Sequence, residues 1–479
     1  MQRTFPVLAI LIPILVVLGI YAPTDHFFSN QYDDAYIGYR YAINLAQGHG
    51  LVFNIGERTD AASSFLYMVV LAFFWLLDLR NLELVAATLG VASLGFITWL
   101  TYKLALRLSS DAKSSLVVGV CCGINGFLSG WTLSGMEVLP WAALILCAVY
   151  LMVIEARPWA ICLVIALAAF TRFEGIFLAV PYLFLILTRG TFKKDIIPIL
   201  AVGAAFSAFY IIKYSYYGVW ISHAFQMKSI ADYFKPMPRE IIHYWMYYAS
   251  IPVILSLPTL ISRRYFFVFS YVALSFISVL VGPRSDYARY SVHLLPILYA
   301  FSAPLLARLG AGQRSSVAVF GVFAIVLAMS SQALAGMRFN WNNMTLIAES
   351  QICRKEVGSF INTHIGKDEY IASSDLGAIS YVAIDNRFVD LMALVSSDVL
   401  SQFRAGQNAD SVLVDKHIKY YADTLRITTN DRLGELLKQF PSVLQYTNFT
   451  VDMKQPLFVC TDKGGIRFVV ANLVPRTFN

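Results

Sequence analysis

Two adjacent carboxylates, Asp33 and Asp34, stand directly before a helical pattern in which Ile37, Tyr41 and Leu45 recur every four residues, and the turn Gly48-His49-Gly50 ends that pattern. An acid at a helix start has an ordinary use: it satisfies orphan backbone N–H groups and favours the positive end of the helix. That explains one carboxylate well. Two side by side repel each other, which raises the proton affinity of one and suits a general base, a metal ligand or a partner for a cation. Further charges stand beside long apolar runs: Glu137, and Arg172 with Glu174. Charge at membrane depth is costly enough to need a reason, here a structural ion pair or a substrate contact. His223 and His293 are lone histidines, for which packing competes with a role in chemistry. No His/Cys/Asp cluster has transition-metal spacing. A divalent cation such as Mg, Mn or Ca would have Asp33 or Asp34 as its ligand, and nothing in the sequence requires one.

These residues need a scaffold, and composition names its class. Of 479 residues 58% are hydrophobic and only 14% charged, with a mean hydropathy of +0.61. A soluble domain is about 45–50% apolar and about 25% charged, so this is a polytopic membrane chain. The net charge of +7 is modest, and no Lys/Arg cluster with interleaved aromatics points to nucleic acid. The run Phe5–Tyr21 follows Gln2 and Arg3 without a small-residue cleavage site, so it reads as a retained first span. A polar loop, 22–63, comes next and is long enough to suggest a functional element. The run 65–77 is too short for a comfortable span and reads as interfacial or re-entrant. Longer runs follow at 83–105, 114–130, 138–154, 158–170, 175–188, 196–214, 244–261, 265–281, 291–307 and 315–334. Alternate loops then carry Lys103/Arg107/Lys113, Arg157, Arg189/Lys193/Lys194, Arg263/Arg264 and Arg308/Arg314. The positive-inside rule puts these and Arg3 in the cytoplasm, giving about eleven transmembrane helices with the C-terminal part outside.

From about residue 336 apolar runs shorten to strand length, as in Tyr370–Ala372, Phe388–Asp390, Leu457–Val459 and Ile466–Val470. Charged helical stretches, Leu346–His364 and Asp431–Gln439, alternate with them, which predicts a small α/β domain over 336–479. The domain boundary therefore falls between a transmembrane module, 1–335, and this tail. Cys121, Cys122, Cys147 and Cys162 sit in apolar runs as small hydrophobes, whereas Cys353 and Cys460 lie in the polar tail and pair if it faces an oxidising compartment.

The string Asp33-Asp-Ala-Tyr-Ile, Tyr39-Arg-Tyr-Ala, Asn44-Leu, then Gly48 to Glu57, resembles the first periplasmic loop of GT-C glycosyltransferases. The resemblance is nearest to the branch that contains the mycobacterial terminal arabinofuranosyltransferase. Ser134-Gly-Met-Glu137, Thr171-Arg-Phe-Glu-Gly175, Tyr216-Tyr-Gly with Ala224 and Lys228, and Asp375-Leu-Gly-Ala-Ile379 with Val389-Asp-Leu391 resemble further elements of that branch, in the same order. Phe173 stands where the branch has proline, and Ser222-His223 where it has Pro-Asn.

What the resemblance implies is a bacterial inner-membrane enzyme with a cytoplasmic N-terminus, a juxtamembrane helix at 65–77 and a periplasmic C-terminal domain. It would move a sugar, D-arabinofuranose by preference, from a polyprenyl-phosphate donor to a hydroxyl of a glycan, lipid or protein acceptor. Asp33 is expected to be the base, with Asp34 as the close alternative. The leaving phosphate needs cationic donors, and Arg289, Arg284 and Lys228 are the candidates, since an arginine fork and helix N–H groups both favour an anion. Tyr36, Arg40, Glu137, Arg172, Glu174, His223 and Asp375 are expected to line the substrate pocket. The competing reading is a transporter or lipid-linked-sugar flippase. Such proteins commonly show repeated halves and broken helices with polar groups near the midplane; here the polar constellation concentrates at one face, and no repeat appears.

Overall fold

A computed structural model of the protein describes residues 4–21, 31–61, 63–230, 238–281, 287–311, 316–425, 449–452, 455–462 and 467–475. Contacts divide the chain into two compact units. Met1–Phe27, Ala86–Phe209 and Pro236–Asn343 form the first, and Phe28–Val85, Tyr210–Lys235 and Met344–Asn479 the second. Composition alone draws the boundary at 335/336; by contacts the first polar loop groups with the tail.

The first unit is helical. Among the described residues three helices are long and apolar enough to cross a membrane, Leu82–Ser109, Phe192–Tyr217 and Arg289–Ala311. Shorter apolar helices include Phe5–Ile20, Ala112–Ile124, Val138–Val153, Pro158–Thr171 and Phe266–Val281. Every backbone polar group must be satisfied inside its own segment when lipid replaces water, and this chain is accordingly a multi-pass helical membrane protein. Local chemistry sets the breaks. Asp111 begins helix 112–124 by accepting the Ser114 N–H at 2.8 Å. Asn125 ends it, accepting the Phe127 N–H at 2.9 Å and donating to the Tyr299 hydroxyl at 3.0 Å. The expected run 175–188 begins instead with a 3-10 turn, Phe173–Leu178, before helix Ala179–Arg189. Gly175 allows that turn to pack on the Ala168–Ala169 backbone, where a Cβ would collide.

The second unit has a six-stranded mixed sheet. Its strands are β1 (Tyr370–Ser373), β2 (Arg387–Asp390), β3 (Tyr420–Leu425), β4 (Phe449–Val451), β5 (Phe458–Thr461) and β6 (Arg467–Pro475). β2, β1 and β3 lie parallel in that order, with Ile371 opposite both Phe388 and Tyr420. β6 runs antiparallel to β3, with Ala422 opposite Val470, and pairs β5 and β4 on its other side. The α/β tail is thus present, and helix Gly377–Val382 connects β1 to β2. Leu346–His364 is the end of one long helix, Ser316–His364, rather than a separate piece. No proline or glycine stands between Met337 and Cys353 to break it. The expected helix Asp431–Gln439 lies outside the described residues.

The first-loop helix, Asp33–Ala46, shares one core with this sheet. Tyr41 and Phe53 of the loop, Met68 of helix Phe65–Leu76, Val357 and Ile361 of the long helix, and Ile371, Ile379, Phe388 and Phe468 pack together. The loop helix ends at Ala46, and Gly48 and Gly50 both follow with positive φ, 85° and 88°. Cys353 and Cys460 are joined in a disulfide with Cα atoms 5.5 Å apart, tying the long helix to β5.

Candidate active site

Asp33 is the first residue of its helix, and Tyr32, at the cap position before it, makes no side-chain capping bond. Its carboxylate caps a different helix. Oδ2 accepts the Gly377 N–H at 2.8 Å and Oδ1 the Ala378 N–H at 3.0 Å, both at the start of helix 377–382. Gly377 makes this approach possible, because a Cβ at that position would overlap the carbonyl and carboxyl of Asp33. Gln351 donates to Oδ1 at 3.3 Å, and the Arg354 guanidinium lies 3.5 Å from the same oxygen. The Asp375 side chain also lies within hydrogen-bonding reach of Asp33. The Asp33 side chain is 23% exposed.

Arg354 serves a second carboxylate more closely. Its Nε stands 2.8 Å from Asp375 Oδ2, which also accepts the Thr424 hydroxyl. Asp423 accepts the Ser374 N–H at 2.8 Å, the Tyr421 hydroxyl at 3.0 Å and the Ser374 hydroxyl. Three carboxylates therefore gather around one guanidinium: Asp33 at the start of the loop helix, Asp375 just after β1 and Asp423 within β3. Burial and then Asp375 push Asp33 up to about 6 against the pull of Arg354. Burial also raises Asp375, but the Arg354 charge and its hydrogen bond outweigh that and hold this acid below the usual carboxylate range. Burial and Asp375 raise Asp423 to about 6. The rise at Asp33 has the expected direction, yet Asp34 contributes least to it. Asp34 itself is exposed. A divalent cation at Asp33 would compete with Arg354 for the same oxygen. The one group of three potential metal ligands among the described residues is Cys353, Glu356 and Cys460, and its two sulfurs are bonded to each other.

The other expected residues of this unit divide. Tyr36 is fully buried and donates to Glu83 Oε1 at 2.5 Å, while Lys355 Nζ meets the same oxygen at 2.6 Å. Arg40, expected in a substrate pocket, instead spends its guanidinium on backbone carbonyls. Nε donates to Phe53 at 2.8 Å, Nη1 to Ser380 at 2.5 Å and Nη2 to Asn386 at 2.6 Å. It is a buried clamp on the end of helix 377–382. His223 is also an anchor: its N–H donates to the Asp60 carbonyl at 2.7 Å, and burial lowers its proton affinity. Asp60 pairs with Lys213 at 2.8 Å. Lys228 is half-buried on helix His223–Ile230.

In the first unit, Glu137, Arg172, Glu174 and Arg289 come together. Helix Pro158–Thr171 ends at Arg172, whose backbone turns extended at φ −148°. Its Nη1 donates to Glu137 Oε1 at 2.7 Å, Nη2 lies 3.4 Å from Glu174, and Arg289 Nη2 reaches the same Glu137 oxygen at 3.5 Å. Glu137 and Arg172 are both 3% exposed at the side chain, so two guanidiniums share one buried carboxylate. The Arg172 guanidinium stacks over Tyr290 and Trp141, and His293 packs 4.4 Å from the Trp141 ring. Arg172 Nε, Trp141 Nε1 and both His293 nitrogens are buried with no hydrogen-bond partner among the described residues. Buried donors of this kind require water or a ligand. Arg284 lies outside the described residues.

Sequence reading passed over Gln351, Arg354, Asp423 and Thr424, which hold the carboxylate cluster, and the Glu83–Lys355 pair. The Arg354-Lys355-Glu356 run in the charged stretch Leu346–His364 is the local signal available.

The architecture defines a class: a helical multi-pass membrane protein with a small C-terminal mixed sheet. Within it, the chain has the fold of ArnT from Cupriavidus metallidurans. The crystal structure of that protein bound to undecaprenyl phosphate matches with a TM-score of 0.61 at 13% identity, over 96% of this chain and 97% of the other. Its apo state matches with a TM-score of 0.61 at 12% identity, over 96% of each chain. Residues 342–459 match the family model described as a domain of unknown function, DUF8728. None of the curated proteins matches the sequence.

Proposed function

We propose that this protein is a GT-C glycosyltransferase that moves a sugar from a polyprenyl-phosphate donor to a hydroxyl acceptor of the cell envelope. One observation carries the reading: a likeness in fold, over nearly the whole of both chains, to a protein crystallised with undecaprenyl phosphate. D-arabinofuranose is the donor sugar put forward, on the first-loop resemblance. The basic loops support a bacterial inner-membrane protein of about eleven spans with the N-terminus in the cytoplasm. The Cys353–Cys460 bond supports a tail in the oxidising periplasm.

The acceptor oxygen attacks the anomeric carbon, its bond to the phosphate oxygen breaks, and the acceptor proton passes to a base. Asp33 is the base in this reading. It is fixed by two backbone N–H groups, and burial brings its proton affinity toward neutral pH. The exposed Asp34 orients the acceptor. The second reading exchanges the two, and the hydrogen bonds that make Asp33 a helix cap favour it. The leaving phosphate is assigned to Arg289 and Arg172. Their shared carboxylate Glu137 pre-orients both forks, whose N–H groups are the donors offered to the phosphate. The unpartnered donors on Trp141 and His293 suit the same anion or the water around it.

The test is transfer from a panel of synthetic polyprenyl-phosphate sugars by the purified protein and its Asp33→Asn and Asp34→Asn variants, each checked for folding and donor binding. Folded Asp33→Asn should bind donor without turnover. If only Asp34→Asn behaves so, the roles are exchanged. If the unaltered protein consumes no donor, the transferase reading is wrong.

A further inference from the structure

The tail sheet and the long helix bring charge to Asp33 that no reading of the first loop supplies. Gln351 and Arg354, three residues apart on helix Ser316–His364, approach the same oxygen of Asp33 at 3.3 and 3.5 Å. That spacing puts both on one face. Arg354 is held in place from the other side by Asp375, at 2.8 Å, with side chains of both only 16% exposed. We propose that Arg354, anchored by Asp375, is a positioning residue for Asp33: it fixes the carboxylate and tunes its affinity for the acceptor proton. The proposal rests on the reading of Asp33 as the base.

Hydrogen bonding alone does not account for the arrangement. The two backbone N–H groups of helix 377–382 already orient Asp33. What Arg354 adds is charge, in a place sheltered enough for that charge to be felt. The guanidinium is nearer to Asp375, so that acid keeps its charge and Asp33 is left the more ready to take a proton. The groups facing Asp33 are then Asp34 and Tyr36 on its own helix, Arg354 on the long helix and Asp375 after β1, with Asp423 on β3 beyond Asp375 and the Lys355–Glu83 pair beyond Tyr36. One cation and the nearest anion act in opposite senses. Removing Arg354 withdraws stabilisation from the Asp33 anion, whereas removing the charge of Asp375 withdraws repulsion and turns Arg354 fully toward Asp33.

The opposition gives a readout that a merely structural role would not move. In the full-length protein, the acidic limb of kcat/KM against pH should rise by about one unit in Arg354→Gln, a tenfold change in proton affinity. It should fall in Asp375→Asn and stay near the original in Arg354→Lys. The pH midpoint of carbodiimide labelling at Asp33, read by peptide mass spectrometry, should shift in the same directions whether or not a donor is turned over. Should Arg354→Gln not fold, Arg354→Lys and Asp375→Asn carry the test. Limbs or labelling midpoints that stay put, or that move in the same direction in both charge-removing variants, overturn the proposal. An unaltered protein that transfers no sugar but shows the opposed labelling shifts would sink the transferase reading and leave this coupling standing.

Discussion

Replacing Gly377 with alanine tests the geometry around Asp33 directly. The added Cβ would fall on the Asp33 carbonyl and carboxyl, so either the loop helix or helix 377–382 must move. Two N–H bonds to a carboxylate, at 2.8 and 3.0 Å, are at stake. A hydrogen bond to a charged group contributes about 1.5–3 kcal/mol, and relaxation preserves part of the pair. A net loss of about 2–3 kcal/mol is therefore expected. If it falls on the orientation of Asp33, turnover drops roughly 30- to 150-fold; if it falls on packing, the thermal midpoint of the tail drops instead. The assay is donor consumption together with thermal unfolding, in detergent, of Gly377→Ala and of Gly38→Ala. Gly38 lies on the same loop helix with nothing within 4 Å of an added Cβ, so its alanine variant should be neutral or slightly stabilising. A Gly377→Ala protein with turnover within threefold of the original and an unchanged midpoint would refute the close approach.

Other outcomes follow from the same structure. Glu137→Ala leaves two guanidiniums without their shared buried carboxylate, and should destabilise the first unit by about 3–5 kcal/mol in detergent unfolding. A Cys353→Ser/Cys460→Ser double variant opens a covalent loop with a sequence separation of 107, which the chain-entropy relation values at roughly 5 kcal/mol; unfolding with and without reductant measures it. Asp33, Asp390 and Asp423 are each raised to about 6, above their unfolded value, so the folded tail binds more protons than the unfolded chain between about pH 4 and 6. Stability from these groups is full below that window and is lost as pH rises through 6. The unfolding midpoint of the tail should fall from pH 5 to pH 7, and Asp423→Asn should flatten the fall.

The legible parts of this protein are those written in local pattern. The loop helix from Asp33, its glycine stop at Gly48 and Gly50, the short helix at 65–76 and the strands near 370, 388, 458 and 467 all follow from runs a few residues long. The disulfide was one of two possibilities, and the structure selects it. The pairing of Asp33 with Gly377 and Ala378 was not legible, because its partners are 344 and 345 residues away and nothing local marks them. The same holds for Arg40. Its side chain was read as a substrate contact from its neighbours in a motif, while its donors are fixed by carbonyls of a helix end some 340 residues later. Phe173, the departure from the resembled proline, begins the 3-10 turn that replaces the expected start of a span.

The 344-residue separation between Asp33 and Gly377 also sets an order of events during synthesis. The loop helix emerges early, but the N–H groups that donate to its carboxylate are made 344 and 345 residues later. At about 5–20 residues per second the ribosome needs roughly 20–70 s to reach them. Throughout that interval the acid must stay hydrated, and the apolar residues around it must wait for the sheet that covers them. Chains stopped before residue 377 never close this contact, so they should present an unprotected first loop to proteases and chaperones. Synthesis of helix 377–382 is in that sense the step that finishes the N-terminal helix.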